Sequence, residues 1–400
     1  MASKSAFITV CLFIVFMLVC FTDARRGAPR KIFNVMDYDA VADGKSDNSE
    51  AFQKAWNVAC QYYGRSVVLI PWGTYTLNTV LFKGPCKGAM AFLVKGVLKA
   101  PTDPALFSTN TWIGFRYLDG LVVKGGGSLD GQGVSAWPYN DCFTNPECKP
   151  LPVSMRFDFI NNSRIHHLKS VNSKNAHINL FACNNMNISH IRLTAPGNSP
   201  NTDGIHIGAS SDIKISRTLI STGDDCISMV SGSQNIDISD VQCGPGHGIS
   251  VGSLGRSHEK EFVKGLTIRN CTFSGTQNGL RIKTWAPSLA SSAGDFTFEN
   301  IVMRNVFNPI IIDQQYCPVP PCTNQAQSQV QISNVTFRNI WGTSSSRVAV
   351  TMKCSEMVPC RNIKLMNINL AYNGSDGPIT SSCFNVNGGS YGKQLPSGCV

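Results

Sequence analysis

Three acids within 23 residues stand in closely similar settings: Asp203 in Asn201-Thr202-Asp203-Gly204, and Asp224 with Asp225 in Gly223-Asp224-Asp225-Cys226. Asp203 precedes Gly-Ile-His-Ile and Asp225 precedes Cys-Ile-Ser-Met, an offset of 22 residues. Three carboxylates packed together repel, so at least one keeps its proton toward neutral or mildly acidic pH and a general acid coexists with a general base. His247, in Gly246-His247-Gly248, lies a further 22 residues on, and Arg281 and Lys283 alternate with Ile282, as two cations on one strand face would. Acids, an imidazole and two cations together suit an anionic sugar polymer, the cations holding its carboxylates while an Asp protonates a leaving glycosidic oxygen.

Taken singly, these motifs say little. Asp-Gly and Asp-Asp steps are common in turns, and a histidine between two glycines is usually a loop residue. Clustered carboxylates also bind calcium through oxygen. The interleaved His247, Arg281 and Lys283 oppose a cation site, however, and no EF-hand pattern is present. Four polar features in register at one period exceed what turn chemistry supplies, so catalysis is expected, with no metal and no cofactor.

The elements that must position these residues are short. From about residue 155, β-branched alternating runs recur, among them Ile205-His-Ile, Ile213-Lys-Ile, Ile227-Ser-Met, Ile236-Asp-Ile, Ile249-Ser-Val, Leu266-Thr-Ile and Leu280-Arg-Ile. Ile205, Ile227 and Ile249 are spaced by 22 residues and Ile213 and Ile236 by 23, with Gly, Asn, Ser or Asp between the runs. That period, with several strands in each, predicts a coil stacked on itself, an all-β parallel β-helix in which no rung buries its core alone. A Greek-key sandwich shares the strand spacing but not the preserved super-period. On adjacent rungs Asp203 and Asp225 become neighbours roughly 4.8 Å apart, with Asp224 alongside. Between Asp47 and Tyr63 the pattern changes: Ala51, Phe52, Ala55, Trp56 and Ala59 fall at helical spacing after the cap candidates Ser46 and Asp47. A short helix there is expected to cover the open end of the coil.

The composition agrees. Only 15% of the 400 residues are charged, against roughly 25% in an average soluble protein, while 35 Gly and 20 Pro supply turns, which excludes a coiled coil and a disordered chain. Lys4 followed by an apolar run from Ala6 to Phe21, with Thr22 and Ala24 before Arg25, reads as a secretory signal over residues 1–24. Residues 25–400 are then expected as one catalytic domain, secreted to the cell exterior or wall, free of the membrane and monomeric. Removing the signal takes Lys4 and Asp23 together, leaving the net charge at +10. Fourteen of the 16 cysteines remain, an even number suited to disulfides, with Cys142 and Cys148, Cys317 and Cys322, Cys354 and Cys360, Cys226 and Cys243, and Cys383 and Cys399 as candidate pairs. Sequons at Asn161, Asn187, Asn270, Asn334 and Asn373 suit N-glycosylation.

The motifs NTDG, GDDC, GHG and RIK, in order at residues 201–204, 223–226, 246–248 and 281–283, resemble those of the polygalacturonases of glycoside hydrolase family 28, especially the secreted pollen-type plant exopolygalacturonases. The resemblance spans essentially the whole mature chain, from Phe33-Asn-Val to the terminal cysteines. It implies a right-handed parallel β-helix and hydrolysis of α-1,4 bonds between galacturonates in de-esterified pectin, with inversion. By motif, Asp224 corresponds to the proton donor and Asp203 and Asp225 to the pair activating water. His247 matches the histidine supporting the acid, Arg281 and Lys283 the binders of substrate carboxylates, and Tyr316 the tyrosine of the cleft. Asn201 and Gly223 are expected to shape the site. The resemblance favours exo release of single galacturonates from the non-reducing end, with endo cleavage as the alternative. A calcium-assisted pectate lyase and a non-catalytic wall-binding protein are the competing functions; nucleic acid is disfavoured by the dispersed basic residues and by export.

Overall fold

The computed structural model describes residues 30–142, 145, 147–257, 259–318, 322 and 327–400. The signal expected at residues 1–24 lies outside the described residues. Within them, 28 strands join in one continuous parallel sheet that winds as a right-handed β-helix. The period read in the sequence is the rung: Ile205 pairs with Ile227 and Ile227 with Ile249, while Ile213 pairs with Ile236. Beyond Ile249 the rung lengthens, since its next partners are Leu280, Ile310 and Val350.

Like stacks on like inside the coil. Ile205, Ile227, Ile249, Leu280 and Ile310 form one buried column, and Phe82, Phe115 and Phe157 form another, with the Phe115 and Phe157 rings stacked at 5.1 Å. Each such side chain gains about 1.5–3 kcal/mol from burial only when the rungs above and below are in place. The polar residue between two core positions faces outward, so the sequence Ile-x-Ile writes an exterior row directly. Corners are turned by residues in the left-handed region: Asn270, Asn300, Asn339 and Asn367 have φ between 52° and 56°, where Asn is among the few tolerated side chains. Their carboxamides form a ladder, Asn300 donating to Asn270 at 3.4 Å, Asn339 to Asn300 at 3.0 Å and Asn367 to Asn339 at 3.1 Å.

The helix expected over Asp47–Tyr63 occupies Ser49–Cys60, with Ala51, Phe52, Ala55, Trp56 and Ala59 all buried. Trp56 sits over the end of the aromatic column, 4.9 Å from Phe82, and its Nε1 donates to the Lys83 carbonyl at 3.1 Å. The cap position is Asn48 rather than Ser46 or Asp47; Ser46 is engaged by Asp43, its Oγ donating to Oδ2 at 2.7 Å. All five candidate disulfides form, and a sixth, Cys60–Cys86, ties the helix end to the loop after the strand Val80–Lys83. The even count did not mean complete pairing: Cys183 and Cys271 are buried free thiols. All five sequon asparagines are exposed.

Candidate active site

The turns that lead into the strands Ile205–Gly208, Ile227–Met229, Ile249–Leu254 and Asn278–Thr284 carry the acids, the histidine and, on the last strand, both cations. The Gly204 N–H donates to the Asp225 carbonyl at 2.9 Å, which sets Asp203 and Asp225 on adjacent rungs as their 22-residue offset requires. Packing here is tight enough to demand glycine. A Cβ on Gly223 would lie 2.0 Å from the Ser199 carbonyl, and its N–H is received by Thr202 Oγ1 at 2.9 Å. Cys226, directly after the acids, is buried and bonded to Cys243, fixing the floor beneath them.

Asp224 is the most accessible of the three carboxylates, its side chain 20% exposed. His247 Nδ1 lies 2.9 Å from its Oδ1, which also accepts the Asp225 N–H at 2.8 Å, and Asn201 Nδ2 approaches Oδ2 at 3.4 Å. His247 therefore serves Asp224 and not Asp225, the acid it follows by 22 residues. Asn201, at φ 53°, receives Asn140 Nδ2 on its own Oδ1 at 2.7 Å, so a loop from two rungs earlier reaches the site.

Asp225 is 3% exposed and receives Ser250 Oγ at 2.7 Å and an Arg281 NH2 at 2.6 Å on Oδ1, and Lys283 Nζ at 2.9 Å on Oδ2. Burial alone would raise its pKa, but Lys283 and Arg281, with the hydrogen bonds of Lys283 and Ser250, hold it well below the usual carboxylate range. Arg281 and Lys283, expected on substrate carboxylates, are thus committed to Asp225, with side chains only 11% and 9% exposed. Arg281 and Lys283 bring two positive charges to a site with three carboxylates, so they balance Asp225 and one acid more. Ligand atoms of Asp224, Asp225 and His247 fall within 4.8 Å of one another, and a bound ion there would meet the charge of the two cations already on Asp225.

Asp203 behaves oppositely. Burial, and then the nearby Asp224 charge, raise its pKa, while hydrogen bonding from His206 opposes the rise. Ser228 Oγ donates to Asp203 Oδ2 at 2.7 Å and meets His206 Nδ1 at 2.8 Å; the imidazole itself is 3.4 Å from the carboxylate. His206, Ser228 and Ser250 were missed in the sequence. The signal was present: they are the middle residues of Ile205-His-Ile, Ile227-Ser-Met and Ile249-Ser-Val and pair in register.

An open cleft of about 630 Å³ lies over these groups, lined by Asn201, Asp224, His247, Arg281, Asp313 and Tyr316. Tyr316 closes one flank, its ring 5.2 Å from Lys283 Nζ and edge-on to Trp285. Of the eight residues anticipated, Asn201, Asp224, His247, Arg281 and Tyr316 line this cleft, while Asp225 and Lys283 meet it through Arg281 and Tyr316 and Asp203 lies on the rung beside Asp225.

Residues 60–395 match the family model described as glycosyl hydrolases family 28. The chain belongs to that family. It is 50% identical over 367 residues to an exopolygalacturonase of Platanus acerifolia, covering 92% of this chain and 97% of that protein. A polygalacturonase of Gossypium barbadense is 43% identical over 383 residues, covering 96% and 94%. The fold of this family 28 chain is also that of a hyperthermoactive exopolygalacturonase from Thermotoga maritima, with a TM-score of 0.71 at 18% identity over 91% of this chain and 93% of that one.

Proposed function

We propose that the protein is a secreted polygalacturonase that hydrolyses α-1,4-galacturonosyl bonds of de-esterified pectin with inversion, residues 25–400 acting as one monomeric catalytic unit after loss of residues 1–24. The observation that carries this is Asp224 in an open cleft, beside the buried Asp225 and the half-buried Asp203, with the cations Arg281 and Lys283 on Asp225. Asp224 protonates the leaving glycosidic oxygen, Asp203 and Asp225 prepare the attacking water from the far side of the bond, and Arg281 and Lys283 attract the sugar carboxylates. Tyr316 and Asn201 border the sugars on either side of the bond that is cut. Exo action is supported by the Platanus acerifolia relative's being an exopolygalacturonase and by the loop that brings Asn140 onto Asn201 on one side of the acids.

The test is the product profile on polygalacturonate for wild type beside Asp224→Asn. Saturated monomeric galacturonate with slow loss of viscosity, and a fall in rate of at least ~10³-fold in the variant, are expected. Mixed oligomers with rapid thinning would make it an endo enzyme. Unsaturated, ultraviolet-absorbing product, or full activity in Asp224→Asn, would overturn the hydrolase reading.

A further inference from the structure

We propose that the two acids facing Asp224 are not interchangeable: Asp203 accepts the proton of the attacking water, Asp225 remains an anion throughout, and His206, acting through Ser228, is a positioning residue for Asp203. This rests on the hydrolytic reading above and divides its water-activating pair into two roles.

The same device serves both acids. Each receives a serine hydroxyl from 25 residues further on, Ser228 for Asp203 and Ser250 for Asp225, both at 2.7 Å. What stands behind each serine differs. Ser250 Oγ accepts from Arg281 Nε at 2.9 Å, and the same guanidinium and Lys283 occupy both oxygens of Asp225. A proton on Asp225 would cancel the charge that balances two cations in an almost closed site, which leaves them buried without a counterion. Behind Ser228 stands an imidazole, His206 Nδ1 at 2.8 Å, and no donor among the described residues reaches Asp203 Oδ1. That oxygen is free to take a proton.

The charged groups around Asp203 come from every neighbouring rung. Asp224 and Asp225 face it from the following turn, His206 from its own strand, and His247, Arg281 and Lys283 act at one remove through the carboxylates they hold. His177, on the preceding rung, meets it through its backbone N–H, which donates to the Asp203 carbonyl at 2.8 Å. Of these, His206 is the group that hydrogen-bonds toward the Asp203 carboxylate and so favours its charged form. In the step itself the water oxygen bonds to the anomeric carbon as the glycosidic carbon–oxygen bond breaks. The released electron pair stays on the leaving oxygen, which takes Asp224's proton, while the water's proton passes to Asp203. Asp203 then yields it to solvent and Asp224 takes one up.

The experiment combines kcat/KM against pH on polygalacturonate with a substrate-free titration of ¹³C-carboxyl-labelled aspartates, for wild type, His206→Leu, His206→Asn and Ser228→Ala. Loss of the imidazole donor is expected to move the acid limb up by about half to one pH unit and to lower kcat about tenfold with KM little changed. His206→Asn, whose amide nitrogen can replace Nδ1, restores the limb, and Ser228→Ala moves it as His206→Leu does. In the titration, the signal that Asp203→Asn removes shifts upward in His206→Leu, whereas that of Asp225 stays ionised below the usual carboxylate range. An unmoved limb, a loss confined to KM, or titration of Asp225 in place of Asp203 overturns the proposal. Should wild type release no sugar, the hydrolytic reading fails and the titration alone still decides whether the acids differ. Should His206→Leu not fold, Ser228→Ala, which removes one hydroxyl, carries the same comparison.

Discussion

Asp225 and Asp224 are sequence neighbours with opposite structural duties, and removing each charge separates them. Asp225→Asn leaves Arg281 and Lys283 buried without their counterion, a change that costs about 3–5 kcal/mol when one member of a buried pair is lost. Asp224, partly exposed and free of a permanent cation, should lose under about 1 kcal/mol on the same substitution. Denaturant midpoints of the two variants check this, and equal stabilities would contradict the assignment of the cations to Asp225. A second titrating group sits out of sight of the cleft. His177 is fully buried, with Nδ1 2.8 Å from Ser170 Oγ and Nε2 without a partner among the described residues, and burial pushes its pKa down to about 3. In the unfolded chain that imidazole titrates near 6.5, so below this value the unfolded state binds a proton the folded state refuses. Stability present above pH 6.5 is therefore lost as the pH falls toward 3, by up to ~1.4 kcal/mol per unit. Urea midpoints measured from pH 7 to 4 should fall more steeply for wild type than for His177→Leu. The three acids were legible because their motifs repeat at the rung period, whereas His177 looks like any residue of a polar turn until its surroundings are known.

At the scale of the rung, backbone conformation sets which residues are interchangeable. Asn339 holds φ 52° at a corner and links Asn300 to Asn367. A Val there loses both bonds and meets the left-handed penalty of roughly 1–2 kcal/mol, so Asn339→Val should unfold at a clearly lower temperature while Asn339→Gly loses less. Calorimetry of the pair separates backbone strain from the ladder. These corners also show what sequence periodicity can and cannot reveal. The 22-residue rungs between Ile205 and Ile249 announce themselves, and with them the exterior row His206, Ser228, Ser250. Past Ile249 the inserted loops stretch the rung, so the pairing of Leu280 with Ile310 and of Ile310 with Val350 follows from hydrogen bonding that no fixed period encodes. Cys60–Cys86 escaped notice for a related reason: its partners are 26 residues apart, on the end of the covering helix and the loop beyond the next strands.

Over the whole molecule, 35 Lys and Arg against 25 Asp and Glu give a net charge of +10. A cationic enzyme gathers a polyanionic substrate through long-range attraction that salt screens, with a Debye length of about 10 Å at 0.1 M. KM for polygalacturonate should rise several-fold between about 50 and 300 mM salt with kcat almost unchanged, as initial rates at fixed pH would show; a salt-dependent kcat would place the screening in the chemical step. The covering helix and the coil were anticipated as a unit, because an open rung end and an amphipathic segment answer the same need. Cys183 and Cys271, by contrast, looked in the sequence like two more members of a disulfide set. Their thiols are pushed up to about 11 and about 12 by burial, and each Sγ lies 3.3 Å from a backbone carbonyl, of Phe157 and Arg269 respectively. In that state neither presents a thiolate to a reagent. Any alkylation under native conditions must then pass through a momentary parting of the rungs, and the six disulfides, already oxidised, stay silent to the reagent. The protein carries two built-in clocks, several rungs apart on one solenoid, whose labelling rates would tell whether the coil breathes as a single body or frays turn by turn.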